Sequence, residues 1–245
     1  MIVTLNELYR ESQKALAGSA MPAGLDSAAA AGTVWLESRG LPGLSSLLGA
    51  LECWDGDRSA AALADGPPGT GTRCLEAKGR SAAVVAPLVV DLLIATAGEP
   101  GGAARIEVNE LGDPWFLLPA AHLYGREGWR IEIEWGEAPL YRAVLGPGCD
   151  ILLSADCDAR PSPGPCRVRL ACLRSSDDAA SGPKGPGGQA SSEDLEARRQ
   201  SALRLGLAVE DDLWRRLVSY ARRVLVPSSA ESRRRGAGVV GTERA

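Results

Sequence analysis

His122 is the only histidine in the chain of 245 residues. Any Ser–His–Asp or Cys–His device must use it, and a metal site with two histidines from one chain is impossible. No Gly-x-Ser-x-Gly elbow is present to supply an activated serine. Tyr124 and Arg126 follow His122 closely, so the three form one candidate cluster: an imidazole to move protons, a phenol to donate one, and a guanidinium to hold an anion. Asp156 and Cys157, at the end of an expected strand, are further groups of interest. Glu132 and Glu134 are two residues apart and share one strand face. Paired carboxylates can do acid–base chemistry, but on an arginine-rich sheet they read more plainly as cross-strand ion pairs.

The stretch Gly66-Pro-Pro-Gly-Thr-Gly71-Thr72-Arg73 looks like a phosphate-binding loop. That loop needs a lysine after its last glycine and then a hydroxyl for magnesium. Here those places hold Thr72 and Arg73, and no strand precedes the loop, so a turn-rich connector is expected. Six cysteines, at 53, 74, 149, 157, 166 and 172, show no Cys-x-x-Cys spacing, which excludes a zinc ribbon. Cys166 and Cys172 alternate with polar residues and read as buried structural thiols. Neither a metal nor a cofactor is expected. Near the end of the sequence, Ser229, Ser232, Arg233, Arg235, Gly236 and Gly238 form a candidate binding segment. Its arginines could pair with an acidic partner or a small anion, and its glycines permit close backbone approach.

These groups need elements to position them. Thr4 with Glu7 is a capping box that opens a helix with Leu5, Leu8, Ala15 and Leu16 on one face. A second helix puts Leu25, Ala28, Ala31, Trp35 and Leu36 inward and stops at Arg39-Gly40. Leu44, Leu47, Leu48 and Leu51 mark a third. Residues 82–97 read as a buried helix, bent or begun near Pro87. Strand patterns follow at Arg105–Asn109, Trp129–Trp135, Leu140–Leu145, Ile151–Ala155 and Cys166–Cys172. Trp115–Leu118 is a short apolar run, and His122 falls in the loop after it. Ser192 caps a helix ending at Gly206, and another runs from about Glu210 to Leu225 with Leu213, Leu217, Tyr220 and Val224 inward. Strands clustered between helical ends predict an α+β fold with N-terminal helices, a central mainly antiparallel sheet and C-terminal helices. The expected division is a core over 1–174, a flexible linker over 175–192, C-terminal helices packed on the core over 193–226, and a flexible tail over 227–245.

The composition is that of a soluble globular protein, with 45% hydrophobic and 24% charged residues and a formal net charge of −4. An acidic balance argues against a nucleic-acid binder that works by bulk charge, and Arg233-Arg-Arg235 lacks interleaved aromatics. The longest apolar stretch is interrupted by Pro87 and Asp91 and is too short to cross a bilayer. With no recognisable export signal, the expected location is cytoplasmic.

Two resemblances add to this. Lys14-Ala15, Gly24-Leu25, Trp35-Leu36 and Arg39-Gly40-Leu41-Pro42-Gly43 resemble the bacterial family called domain of unknown function 3726. So do Ala202-Leu203-Arg204, Leu213-Trp214, Val226-Pro227 and Gly236-Ala237-Gly238. That family has no assigned activity. Residues 3–52, through Val3-Thr4, Glu7-Leu8, Lys14-Ala15-Leu16 and Arg39-Gly40, also look like the opening helices of the malate/L-lactate dehydrogenase family that is unrelated to Rossmann enzymes. There a Ser-His-Gly follows the Arg-Gly, and its histidine is catalytic. This chain has Leu41-Pro42-Gly43-Leu44 instead, so the resemblance implies a copy without that imidazole, and no nicotinamide-binding signature follows. With every catalytic constellation incomplete, the sequence reads first as a non-catalytic binding or accessory protein working beside metabolic enzymes, with a protein partner or small anionic ligand. The alternative is a small-molecule metabolic enzyme with a site around His122.

Overall fold

A computed structural model describes residues 1–56, 63–66, 72–98, 102–136, 140–147, 149–155, 164–174 and 189–224. In chain order its elements are β1 (Ile2–Val3), α1 (Leu5–Gly18), α2 (Leu25–Glu37), α3 (Gly43–Gly56), β2 (Ala64–Asp65), β3 (Arg73–Glu76), α4 (Ala82–Ala97), β4 (Ala103–Leu111), α5 (Leu117–Gly125), β5 (Trp129–Trp135), β6 (Tyr141–Gly146), β7 (Cys149–Ala155), β8 (Cys166–Arg174), β9 (Gln189–Ala190), α6 (Ser192–Leu205), β10 (Leu207–Ala208) and α7 (Asp211–Ala221). The fold is α+β, as the clustering of strand patterns predicts.

Local chemistry explains the helix starts. The Thr4 hydroxyl accepts the Glu7 N–H at 3.1 Å while the Glu7 carboxylate accepts the Thr4 N–H at 2.7 Å, so α1 begins on a reciprocal cap. Gly43 opens α3 because only a hydrogen fits there: a Cβ would lie 2.5 Å from the Thr33 carbonyl of α2. Ser81 caps α4 through Ala83 N–H, and Pro87 sits inside that helix at the end of its first turn and a half. At the other end of the sequence, Ser191 and Asp194 make a second capping box for α6, and Gly206 ends it at φ +80°. The short strands β1 and β10 pair antiparallel, and α7 lies along α1, with Arg216–Glu52 and Arg223–Asp55 ion pairs joining α7 and the turn after it to α3.

Eight strands form one sheet in the order β2-β3-β4-β8-β5-β6-β7-β9. Only β3 and β4 are parallel, because α4 is the crossover between them; every other neighbour pair is antiparallel. One face of the sheet is core. Ile131, Ile133 and Trp135 of β5, Val168, Leu170 and Cys172 of β8, and Ile106 and Val108 of β4 point into it and meet α4 and α5. Trp115, Trp135 and Tyr141 close one corner as an aromatic triad, with ring centroids 5.0–5.3 Å apart. The Cys172 thiol is buried here and pushed up to about 12 by burial, which leaves it inert. The other face carries charge. Glu107 pairs with Arg167 and Arg169, and Glu132 with Arg130 and Arg142.

Several expectations need correction. Trp115–Leu118 is not strand-like and His122 is not in a loop: Pro114–Phe116 forms a 3-10 turn that runs directly into α5, and His122 lies on that helix. Pro114 presets the first φ, and Leu117, Leu118, Ala121 and Gly125 then recur on one helical face, a period that four residues alone do not reveal. On α2 the buried face is Ala29, Ala30, Gly32, Thr33 and Leu36, while Ala28 and Ala31 are exposed. Leu36 is buried as expected and Leu25 and Trp35 are partly buried against the core, but the alanine run makes the stripe ambiguous by one residue, so Ala28 and Ala31 fall at the surface. The last helix ends at Ala221 and continues as a 3-10 turn, with Val224 exposed rather than inward. The segment expected to be a linker up to residue 192 is ordered from Gln189, because β9 adds to the edge of β7 and Ser191 caps α6; residues 175–188 lie outside the described residues. Among the described residues no helix is long and apolar enough to cross a membrane.

Candidate functional site

Helices α2, α4 and α5 meet on the core-covering side of the sheet, and between them lies a cavity of about 450 Å³. Its walls are small and apolar: Ala28, Ala31 and Gly32 from α2, Ala82, Ala83 and Ala86 from α4, and Pro119 and Ala120 from α5. Small side chains at successive turns leave a trough where larger ones would interdigitate. Phe116 forms the floor. It is buried, and its ring sits where α2 has no side chain: a Cβ on Gly32 would come within 3.1 Å of it.

The polar groups of the cavity are Trp35, Asp91, Tyr124 and Glu127. The Tyr124 hydroxyl donates a 2.5 Å hydrogen bond to Asp91 Oδ1, tying α5 to α4 across the cavity. That bond, with partial burial and the charges of Asp91 and Glu127, pushes the phenol up to about 12. Tyr124 is therefore a proton donor at neutral pH and never a phenolate, and Asp91 is the acceptor of the pair. Trp35 is held from behind. The Arg39 guanidinium lies 4.1 Å from its ring centroid and donates from Nη1 to the Trp35 carbonyl at 3.1 Å. The His122 ring packs against the same indole at 5.3 Å, tilted by 54°. The Trp35 indole N–H is buried without a hydrogen-bond partner among the described residues, and Trp35 is alone among the lining residues in this.

The predicted cluster is thus split. Tyr124 lines the cavity, His122 props Trp35, and Arg126 is exposed at the C-cap of α5 and contributes nothing to the lining. Asp156, Cys157, Ser229, Ser232, Arg233, Arg235, Gly236 and Gly238 lie outside the described residues. Trp35, Asp91, Glu127 and the small-residue walls were missed. Asp91 is the one charge in the apolar run of α4 and stands on the exposed stripe of that helix with Leu88.

A second concavity, of about 300 Å³, lies on the charged sheet face between Thr72, Arg105, Glu107, Glu132, Glu134 and Arg169. Its carboxylates are committed. Hydrogen bonding from Arg167 holds Glu107 below the usual carboxylate range. Burial raises Glu132, but the bonds from Arg142 and Arg130 outweigh it and leave the net shift downward. Glu134 also faces Arg142, at 3.5 Å. The pair at 132 and 134 is a set of cross-strand ion pairs, with no carboxyl poised for acid–base work.

The ends of the parallel strands form a third place of interest, since open α/β sheets bind ligands beyond the carboxyl ends of their strands. Here that place is filled by the protein. Lys78, Glu110 and Asp113 all have φ near +50° around the α4 N-terminus. The Gly112 carbonyl accepts the Ala82 N–H at 2.7 Å, and Ser81 is buried and hydrogen-bonds the Asp113 carboxyl. Burial pushes Asp113 up to about 6, with a smaller contribution from Glu52. Among the described residues no cluster of His, Cys, Asp and Glu has the makings of a metal site.

Comparison with known proteins adds to this geometry. The model of a family described as protein of unknown function, domain of unknown function 3726, matches residues 3–66. Over those residues the family resemblance is shown. No curated protein is a match in sequence. In three dimensions the chain is similar to a dehydrogenase from Sinorhizobium meliloti, at 16% identity and a TM-score of 0.70, over 90% of this chain and 99% of that one. It is also similar to malate dehydrogenase from Entamoeba histolytica (7%, 0.66, 93% and 99%) and to sulfolactate dehydrogenase from Methanocaldococcus jannaschii (10%, 0.64, 91% and 97%). The shared fold covers 90–93% of this chain. This corrects the expectation of a non-catalytic accessory protein: the solved structures that share the architecture are dehydrogenases. Leu41 and Gly43, which follow Arg39-Gly40, are buried in the packing of α2 against α3.

Proposed function

We propose that this chain is a small-molecule metabolic enzyme of the oxidoreductase class, with its substrate held in the cavity between α2, α4 and α5. The observation that carries the reading is the Tyr124–Asp91 hydrogen bond at an apolar cavity on a dehydrogenase fold. An apolar cavity of this size with a few convergent polar groups is the usual form of a small-molecule site. The substrate's hydrocarbon body would lie on Phe116 and the alanine walls, and its reacting hydroxyl or amine would face Asp91. Asp91 is placed to take the O–H or N–H proton, while the hydride on the adjoining carbon would leave for a diffusible two-electron acceptor entering as the second substrate. Tyr124, held protonated, fixes the carboxylate by its hydrogen bond, and in the reverse direction the protonated Asp91 returns the proton.

The dehydrogenase resemblance implies a nicotinamide dinucleotide, and the described residues that line this cavity do not fit its diphosphate. A diphosphate needs cations or an open helix N-terminus. No Lys or Arg is among the lining residues, Asp91 and Glu127 would repel it, and the α4 N-terminus is occupied by Ser81 and Asp113. No step is routed through that group. A cytoplasmic location is part of this proposal and rests on the lack of a recognisable export signal in the sequence.

Assay of the purified full chain against a metabolite panel, with artificial electron acceptors beside the nicotinamides, tests the proposal. Asp91→Asn and Tyr124→Phe should each lower kcat by about 100-fold or more, the usual share of a positioned acid or base. Undiminished turnover in both variants would remove the pair from the mechanism.

A further inference from the structure

The charge of the cavity bears on what it accepts. Malate and sulfolactate, the compounds named for two of the similar structures, are anions. A site for an anion buries its charge against Arg, Lys or several backbone N–H groups, because an unpaired carboxylate in an apolar cavity is strongly disfavoured. The lining here has the opposite character. Its two ionisable carboxyl groups, Asp91 and Glu127, are acidic, none of the lining residues is Lys or Arg, and the Tyr124 donor is already spent on Asp91. Arg39 stands behind Trp35, buried and committed to the Trp35 carbonyl and the indole face. The other lining donor, the Trp35 indole N–H, is neutral; it answers a hydroxyl or carbonyl oxygen without repaying the charge of a carboxylate. Aromatic surface completes the set, with Trp35, Phe116 and Tyr124 around the trough. Aromatic rings and carboxylates around an apolar volume are the complement of an organic cation.

We propose that the cavity between α2, α4 and α5 selects a small amine, an alkyl or cyclic ammonium with an apolar body, in preference to the corresponding carboxylic acid. The inference rests on the reading of this cavity as the substrate site. The ammonium would pair with Asp91, whose carboxylate keeps one oxygen available beyond the Tyr124 bond, and Glu127 would add long-range attraction.

Isothermal titration of the full chain with isosteric pairs tests this: cyclohexylmethylamine against cyclohexanecarboxylate, and phenethylamine against 3-phenylpropanoate. The amine of each pair should bind at least tenfold more tightly, and Asp91→Asn should weaken it by about tenfold, the worth of a charge-assisted bond. Ala31→Phe, which fills the trough from an exposed position, should abolish binding of either. Equal or tighter binding of the carboxylates, still lost in Ala31→Phe, would overturn the charge preference and leave the cavity as the site. Binding of an amine that survives Ala31→Phe, or no binding by any member of the pairs, would overturn the preference and the site together.

Discussion

Asp113 offers the sharpest physical test of the framework beneath the cavity. Its carboxyl is enclosed between the start of α4 and the backbone of α3, so close that a Cβ on Gly49 would lie 3.1 Å from Oδ1. Burial is the main cause of its rise from the ordinary 3.8 to about 6, opposed by the Ser81 bond and reinforced by Glu52. At about 1.4 kcal/mol per tenfold change in proton affinity, keeping it ionised costs the fold ~3 kcal/mol at neutral pH. The sign follows from proton counts. Between roughly pH 4 and pH 6 the folded state keeps a proton that the unfolded chain has released, so this stability is full below about pH 4 and is lost as pH rises through about 6. Asp113→Asn removes the titration while leaving an acceptor for Ser81, and asparagine tolerates the left-handed φ of +49°. After about 1 kcal/mol for a weaker Ser81 bond, the variant should be more stable than the parent by ~2 kcal/mol at pH 7 and by nothing, or slightly less stable, at pH 4. Urea unfolding followed by tryptophan fluorescence at pH 4, 5, 6 and 7 measures it. Glu37, also raised by burial, and the lowered carboxyls Glu107 and Asp194 add their own slopes, but these cancel in the difference between the two proteins. A difference that stays constant from pH 4 to pH 7, or a variant that is weaker at pH 7, would refute the argument from burial.

Three further outcomes follow from the packing. Gly43→Ala forces a methyl against the Thr33 carbonyl and should lower stability by about 2 kcal/mol in the same urea assay, whereas substitution at Gly128, which has open space, should act only through its positive φ. Leu93→Ala, emptying a fully buried site on α4, should cost roughly 3 kcal/mol, read as a fall in Tm. His122→Phe keeps an aromatic ring on Trp35 and should retain activity within about twofold; a loss near 100-fold would return the imidazole to the chemistry.

Legibility in the sequence tracked how strongly a pattern repeats. The Thr4–Glu7 capping box, the alternation of β5 and β8 and the antiparallel majority of the sheet were legible in patterns as plain as Trp129 to Trp135, whereas the α6 cap expected at Ser192 is Ser191, paired with Asp194. The phase of α2 was not legible because a run of alanines carries almost no amphipathic contrast, and α5 was not because its apolar residues begin as an unbroken run. Those two elements build the cavity, so the site was the least readable part. Tyr124 was in view as a chemical residue, but its partner Asp91 lies 33 positions earlier in sequence, on a helix read as core. Only the crossover between the parallel strands brings the two together.

The central claim is that chemistry happens in the trough between α2, α4 and α5. It is tested most directly by comparing the turnover of any substrate found for this chain between the parent protein and Ala31→Phe, with Tm measured on both. Ala31 is exposed and lines the trough, so the larger ring should fill the cavity at little cost to folding. The variant's Tm should stay within about 3 °C of the parent, equivalent to under 1 kcal/mol, and its turnover should fall at least 100-fold. A folded Ala31→Phe protein that turns over its substrate at the parent rate would contradict it.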